Sequence, residues 1–156
     1  MSVFDHPEFD DHESVNYFHD DRTGLQAIVA VHSTALGPGA GGTRRWVYTS
    51  DADALTDVLR LSRGMTYKNA VAGLRFGGGK AVILARDDTP KSPEMFRAVG
   101  RCVDSLSGSY ITAEDVGCSV DDMRYVREVT EHVSGLPQTG SDAGGDPSPW
   151  TAIGCL

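Results

Sequence analysis

The feature that most constrains the fold is a nine-residue run, residues 25–33 (LQAIVAVHS), in which six positions are apolar and five of them, residues 27–31, are consecutive. A strand on a half-exposed sheet alternates apolar and polar residues, whereas a strand covered on both faces is apolar throughout. The run is therefore predicted to be a central strand with cover on both sides. In a chain of 156 residues, such cover implies one layered α/β domain.

Segments of strand and helix character alternate along the rest of the chain. This alternation predicts a central, mostly parallel sheet flanked by helices. The first of two segments, residues 1–134, is expected to be this domain. Residues 135–156 are expected to be a Gly/Pro/Ser/Asp-rich linker and the start of a helix that continues in a longer protein. The predicted strands are 13–20, 25–33, 79–85 and 110–113, and the predicted helices begin at Ser50 or Asp51, at Ser92 and after Ser119.

The charge balance limits the classes of partner. Asp and Glu number 22 against 14 Lys and Arg, which gives a net charge of −8. Nucleic acids and anionic membranes both require a basic face, so neither is an expected partner. The acidic N-terminus does not resemble a targeting peptide, no apolar run reaches ~18 residues, and the three cysteines form no CxxC pair. A cytoplasmic protein without a disulfide framework or a zinc site is therefore expected.

Two glycine-rich segments resemble nucleotide-binding motifs without satisfying them. Gly37, Gly39 and Gly42 fit G-x-G-x-x-G, but the residues that follow, TRRWVY, are typical of a strand. A dinucleotide fingerprint needs a helix at that point, so a loop that approaches substrate is favoured instead. The second segment, residues 77–80 (GGGK), lacks the Ser or Thr that a phosphate-binding loop places after the lysine.

Two other groups of residues are weak candidates for chemistry. His6, Asp10, Asp11 and His12 could form a metal cluster, but a solvated terminal arm is favoured, and no metal is expected. Cys118 has no evident base beside it and is interpreted as a small packing residue.

Chemistry is expected where lysines and carboxylates occur in apolar, glycine-bracketed segments. Of only three lysines in the chain, Lys68 ends a largely apolar helix and Lys80 enters a buried strand, whereas Lys91 is expected to be solvated. Asp115 follows a short strand, where ligands of α/β sheets gather. Two ammonium groups at one pocket repel each other and burial disfavours charge, so one lysine should have a lowered pKa. The three residues are expected to converge on one concave face.

Five segments in register resemble the glutamate/leucine/phenylalanine/valine dehydrogenase family, most of all its leucine-specific members. They are LGPGAGGTRRW, ALTDVLRLSRGMTYKNAVAGL, GGGKAVI, GSYITAEDVG and GDPSPWTAIG, which together span residues 36–154. The resemblance implies reversible, NAD-dependent oxidation of an L-amino acid to a 2-oxo acid and ammonia. It also implies a homo-oligomer built on this domain, with the nicotinamide bound mainly by a further dinucleotide-binding domain.

The resemblance implies a role for particular residues. Lys80 would activate the water that adds to the imine, and Asp115 would exchange a proton with the amino group. Thr151 would lie near the nicotinamide, and the small Ala40 would leave room in the side-chain pocket. The substrate-binding residues that the resemblance implies are Lys68, Gly41, Gly42, Met65, Ala40 and Ala113.

Several alternatives remain open from the sequence. Lys80 and Asp115 could be a buried ion pair without a catalytic role, although such pairs are poor stabilising devices. Lys80 could instead form a Schiff base, but the sequence has no phosphate-cofactor signal to accompany it. The substrate could be leucine or another branched-chain amino acid, phenylalanine or valine. A one-domain binding or assembly module without activity is the alternative of a different class.

Overall fold

A six-stranded mixed sheet is the centre of this computed structural model, which describes residues 2–86, 88–137 and 153. The order is β1-β2-β5-β3-β6, and β4 also pairs with β5. The β1–β2 and β2–β5 ladders are antiparallel, whereas β3 and β4 run parallel to β5, and β6 runs parallel to β3. The strands are β1 (Ser14–Asp20), β2 (Leu25–Ser33), β3 (Gly39–Ala40), β4 (Thr43–Trp46), β5 (Gly77–Leu84) and β6 (Tyr110–Ile111).

Helices cover both faces of this sheet, as predicted. They are α1 (Asp51–Val71), α2 (Pro93–Asp104) and α3 (Val120–Arg127). Each begins after a serine, Ser50, Ser92 or Ser119, whose hydroxyl accepts a hydrogen bond from a backbone N–H of the first turn. A short 3-10 turn, Val3–Asp5, precedes β1.

The central strand β2 contributes to two separate cores. Val29 and Val31 pack in the cluster formed with α2 and α3, while Ile28 and Ala30 pack against α1. Alternate residues of a strand point to opposite faces, so a strand between two helical layers must be apolar at both sets of positions. The prediction of a doubly covered strand over residues 25–33 is confirmed at the same bounds.

The start of β5 differs from the strand predicted over residues 79–85. Gly77, Gly78 and Gly79 are buried residues of the strand, which begins two positions earlier than predicted. A Cβ on Gly78 would collide with the backbone of α1 at Ser62. These glycines therefore allow α1 to approach the sheet closely. A run of glycines in the sequence does not by itself distinguish a closely covered strand from a loop.

Asp10 and Asp11 of the N-terminal arm are exposed, as predicted, but His12 is not. His12 is buried, and its Nε2 lies 3.0 Å from the Leu59 carbonyl oxygen and 3.1 Å from Ser62 Oγ of α1. Its Nδ1 accepts a hydrogen bond from the Asp10 backbone N–H. Among the described residues no three His, Cys, Asp or Glu side chains converge as metal ligands. The histidine is held by α1 because both ring nitrogens find partners there and in the arm.

Candidate active site

Lys80 and Asp115 form a largely buried ion pair on the face of the sheet that α1 covers. Lys80 lies in β5 and is 5% exposed, and its Nζ is 3.1 Å from Asp115 Oδ2. Asp115 follows β6 in a turn that is closed by a 2.8 Å hydrogen bond from the Cys118 N–H to the Asp115 carbonyl oxygen. The expected convergence of these two residues is therefore present in the fold.

A second cation, Arg44 of β4, contacts the same carboxylate. Its Nε donates to Asp115 Oδ2 at 3.0 Å, and its Nη1 donates to Asp57 Oδ2 of α1, also at 3.0 Å. The Tyr48 hydroxyl donates to that same Asp57 oxygen at 2.7 Å. Sequence reasoning did not predict this network.

Burial and neighbouring charges together set the pKa values of the pair. Burial lowers the pKa of Lys80, Asp115 opposes this effect, and the positive charges of Arg44 and Lys68 add to it, so that the net pKa is below the ordinary value. Burial alone would raise the pKa of Asp115, but Lys80 and Arg44 outweigh it and the net pKa is lowered. The carboxylate therefore stays ionised, while Lys80 loses its proton more readily than a surface lysine. The prediction that one lysine of the site has a lowered pKa is confirmed.

The glycine segment between β3 and β4 lies against Asp115 and α1. A Cβ on Gly42 would collide with the Glu114 carbonyl oxygen and lie 2.9 Å from Asp115 Cβ. A Cβ on Gly41 would meet Met65 Cγ at 3.0 Å and collide with the Gly79 carbonyl oxygen. The absent side chains let the backbone approach the Lys80–Asp115 pair, as expected of a segment that contacts substrate.

The other residues of the expected substrate site lie on adjoining elements. Lys68 is exposed in the last turn of α1, close enough to Lys80 to lower its pKa by charge repulsion. The Ala40 carbonyl oxygen lies 3.4 Å from Asn69 Nδ2 of α1. The Ala113 carbonyl oxygen accepts a hydrogen bond from the Thr43 N–H at 2.8 Å. Thr151, the expected cofactor contact, lies outside the described residues.

The structure also bears on two features that have an alternative functional interpretation, the G-x-G-x-x-G segment and Cys118. The residues after Gly42 form β4 and not a helix, so the interpretation of this segment as something other than a dinucleotide fingerprint is confirmed. Cys118 is buried in the core and burial raises the pKa of its thiol to about 12. A thiol that remains protonated is a packing residue and not a nucleophile. Within the described ranges, no helix combines the length and apolar character needed to cross a membrane.

The family model described as Glu/Leu/Phe/Val dehydrogenase, dimerisation domain, matches residues 12–132. The chain belongs to this dehydrogenase family. The resemblance read from the five segments is thus confirmed.

The similarity extends over almost the whole chain but over less than half of its relatives. Leucine dehydrogenase of Geobacillus stearothermophilus is 52% identical over 99% of this chain and 42% of its own length. Phenylalanine dehydrogenase of Bacillus thermotolerans is 49% identical over 94% of this chain and 38% of its own length. The chain corresponds to the N-terminal domain of such dehydrogenases.

Solved structures of the family share the fold. The crystal structure of L-tryptophan dehydrogenase from Nostoc punctiforme matches with a TM-score of 0.75 and 47% identity, over 79% of this chain and 37% of that one. The hetero-hexameric glutamate dehydrogenase from Thermus thermophilus matches with a TM-score of 0.70 over 86% of this chain and 36% of that one. Its identity of 22% supports the fold alone.

Proposed function

We propose that this chain is the substrate-binding and oligomerisation part of an NAD-dependent dehydrogenase of L-amino acids. The reaction is the reversible oxidation of the amino acid, with water, to a 2-oxo acid and ammonia. The observation that carries the proposal is the buried Lys80–Asp115 pair beside the Gly41–Gly42 backbone. The amine and the carboxyl group of this pair both have a lowered pKa, and they lie beside a segment without side chains. Such a pair is suited to proton transfer with a bound substrate.

The proposed roles follow from the charge of each residue. Lys68 lies at the exposed end of α1 and binds the substrate α-carboxylate, together with backbone N–H groups near Gly41 and Gly42. Asp115 is ionised and accepts a proton from the substrate ammonium group. Lys80, whose pKa is lowered, activates the water that adds to the imine carbon. The pair is then a catalytic device, which accounts for a buried arrangement that adds little stability.

The G-x-G-x-x-G segment of this chain does not fit a nicotinamide cofactor. The glycine segment after residue 36 leads into an extended strand, so it offers no helix N-terminus for a pyrophosphate. We assign the binding of NAD mainly to protein beyond this chain, with Thr151 as the contact from residues 135–156. The bound nicotinamide supplies the two-electron oxidation at the substrate Cα.

We further propose that the substrate has a bulky apolar side chain, with leucine and valine ahead of phenylalanine. A glutamate side chain would require an additional cation in the pocket, because a buried unpaired charge is costly. The Arg44 guanidinium is occupied by Asp57 and Asp115. Lys91 is exposed and pairs with Asp122. The support from relatives is the high identity to leucine and phenylalanine dehydrogenases.

Two variants of the full-length enzyme test the proposal. Lys80→Ala should lower kcat by about 100-fold or more, because it removes a proton-transfer group. Lys68→Ala should mainly raise KM, because it removes a carboxylate contact. Steady-state rates with NAD on leucine, valine, phenylalanine and glutamate measure both effects, with Lys91→Ala as the matched control.

Two outcomes would count against this function. A wild-type enzyme that prefers glutamate would overturn the proposed specificity. Turnover by residues 1–156 alone would overturn the assignment of the cofactor to protein beyond this chain. Light scattering of the full-length protein tests the proposed homo-oligomer, and a monomer at all concentrations would contradict it.

A further inference from the structure

We propose that Arg44 is a positioning residue that holds the Asp115 carboxylate for proton transfer, and that Asp57 and Tyr48 fix Arg44 in turn. This inference rests on the proposed dehydrogenase function. Arg44 lies in β4, and its side chain is about a quarter exposed. Asp57 lies on α1 and Tyr48 lies in the segment between the two elements, so the network joins the sheet to the helix that covers it.

The geometry at Asp115 is asymmetric between its two oxygens. Oδ2 accepts both cations, from Arg44 Nε at 3.0 Å and from Lys80 Nζ at 3.1 Å. No described residue donates a hydrogen bond to Oδ1. Because one oxygen is fixed by two donors, the carboxylate cannot rotate freely and its other oxygen is presented in one direction.

The free oxygen defines the proton-transfer step. An N–H bond of the substrate ammonium group breaks, its electron pair stays on nitrogen, and an O–H bond forms at Asp115 Oδ1. The substrate changes from –NH3+ to –NH2 and the carboxylate changes from –COO− to –COOH, so charge and protons balance. Arg44 and Lys80 stay on Oδ2 throughout and keep the acceptor in place.

An arginine is suited to this role in a way that a lysine is not. Arg44 uses two different nitrogens of one rigid plane, Nε towards Asp115 and Nη1 towards Asp57. A single ammonium group on a flexible stem does not reproduce that fixed geometry between two carboxylates. With Lys80 protonated, the network of Lys80, Arg44, Asp115 and Asp57 contains two charges of each sign, so it is balanced without the substrate.

The charges around Lys80 give the inference a readout in pH. Lys68 of α1, Arg44 of β4 and Asp115 of the turn after β6 all affect Lys80, and Arg44 lowers its pKa. Arg44 also lowers the pKa of Asp115. Loss of Arg44 should therefore raise the pKa of both groups. A rate that depends on neutral Lys80 and ionised Asp115 should then fall off at a higher pH than in the wild type.

The test compares Arg44→Ala, Arg44→Lys and Asp57→Asn in the full-length enzyme with leucine and NAD. Arg44→Ala should lower kcat by about 100-fold with KM changed by less than about threefold, and Arg44→Lys should recover only part of the loss. Asp57→Asn should lower kcat by about tenfold, because Arg44 then keeps only its contact with Asp115. In Arg44→Ala, the acidic limb of the kcat/KM profile should move to higher pH than in the wild type. Added methylguanidinium should partly restore the kcat of this variant.

Arg97 provides the matched control. It also bridges two carboxylates, Glu94 and Glu128, but it lies on α2, on the opposite face of the sheet. If Arg44→Ala matches Arg97→Ala in kcat and pH profile, the positioning role is overturned. If Arg44→Ala does not fold, Arg44→Gln decides, because it also removes the positive charge: the same shift of the acidic limb with little change in KM supports the role, and a wild-type profile overturns it. A wild-type enzyme that oxidises no amino acid overturns the proposed function itself.

Discussion

Replacing Lys80 and replacing Asp115 should change the free energy of unfolding very unequally, because the two residues have different partners. On the same oxygen, Asp115 accepts a hydrogen bond from Arg44 and forms an ion pair with Lys80. Lys80 has Asp115 as its only ion-pair partner in the part of the chain that is described, and two positive neighbours, Arg44 and Lys68, oppose its charge. Replacing Lys80 therefore leaves Asp115 with a cationic partner, whereas replacing Asp115 leaves Lys80 without an anionic one.

Lys80→Met keeps most of the buried volume and leaves Asp115 paired with Arg44. The expected change in the free energy of unfolding is within about 1 kcal/mol in either direction, because no buried charge is left alone. Asp115→Asn instead leaves a 5% exposed amine without an anion. Breaking a buried pair in this way costs about 3–5 kcal/mol. Lysine can shed its proton to relieve part of that cost, so about 2–3 kcal/mol is expected at pH 7.

The penalty in Asp115→Asn should shrink as pH rises. Burial already lowers the pKa of Lys80, and in the variant nothing remains to raise it. Between that lowered pKa and the unfolded value of about 10.4, the unfolded chain binds a proton that the folded chain does not. The free energy of unfolding therefore increases with pH across this window.

Urea unfolding at pH 7 and pH 9.5, followed by circular dichroism, measures both effects. Lys91→Met is the matched control, because Lys91 pairs with Asp122 at an exposed position and should matter by less than about 1 kcal/mol at either pH. The result that would refute this reasoning is an equal, large loss in Lys80→Met and Asp115→Asn. Both members of the Lys80–Asp115 pair would then contribute equally to stability, as expected of a buried ion pair without a catalytic role.

Two further predictions concern the glycine segment and the N-terminal arm. Gly42→Ala should lower kcat by about tenfold or more in the full-length enzyme, because its Cβ displaces Asp115, whereas Gly64→Ala, with nothing within 4 Å of its Cβ, should stabilise α1 by about 0.5–1 kcal/mol. Unchanged kinetics in Gly42→Ala would contradict the close approach. Burial lowers the pKa of His12, so the wild type should lose stability as pH falls below about 6.5. The variant His12→Ala should be less stable than the wild type at pH 7.5 by about 1–3 kcal/mol, and its stability should depend less on pH. Urea midpoints at pH 5.5 and 7.5 measure this, and an equal pH dependence in both proteins would exclude His12 as the cause.

Local signals predicted the long elements well, and non-local contacts explain the errors. The apolar run of β2 and the serine caps of the three helices depend on neighbouring residues only, and the structure reproduces them. The two-residue strands β3 and β6 are strands because they pair with each other, and β3 also pairs with β5. No property of Gly39–Ala40 or Tyr110–Ile111 alone carries that information. The burial of His12 likewise depends on α1, some 50 positions away in the chain.

The two adjacent arginines of β4 show how pairing assigns function to otherwise equivalent residues. Arg44 is aligned with Val82 of β5, which shares a face with Lys80, so the pleat directs Arg44 towards the Lys80–Asp115 pair. Arg45 points to the other face, where its Nη2 donates to the Thr89 carbonyl oxygen at 2.7 Å. A sequence with two consecutive arginines does not say which of them meets Asp115, because the β4–β5 register decides it. Because of this register, neither guanidinium group is placed to pair with a substrate side-chain carboxylate. Arg44 is bound by two aspartates, and Arg45 lies on the opposite face of the sheet. The proposed preference for apolar amino acids therefore follows from the strand pairing as much as from the small residues that are proposed to line the site.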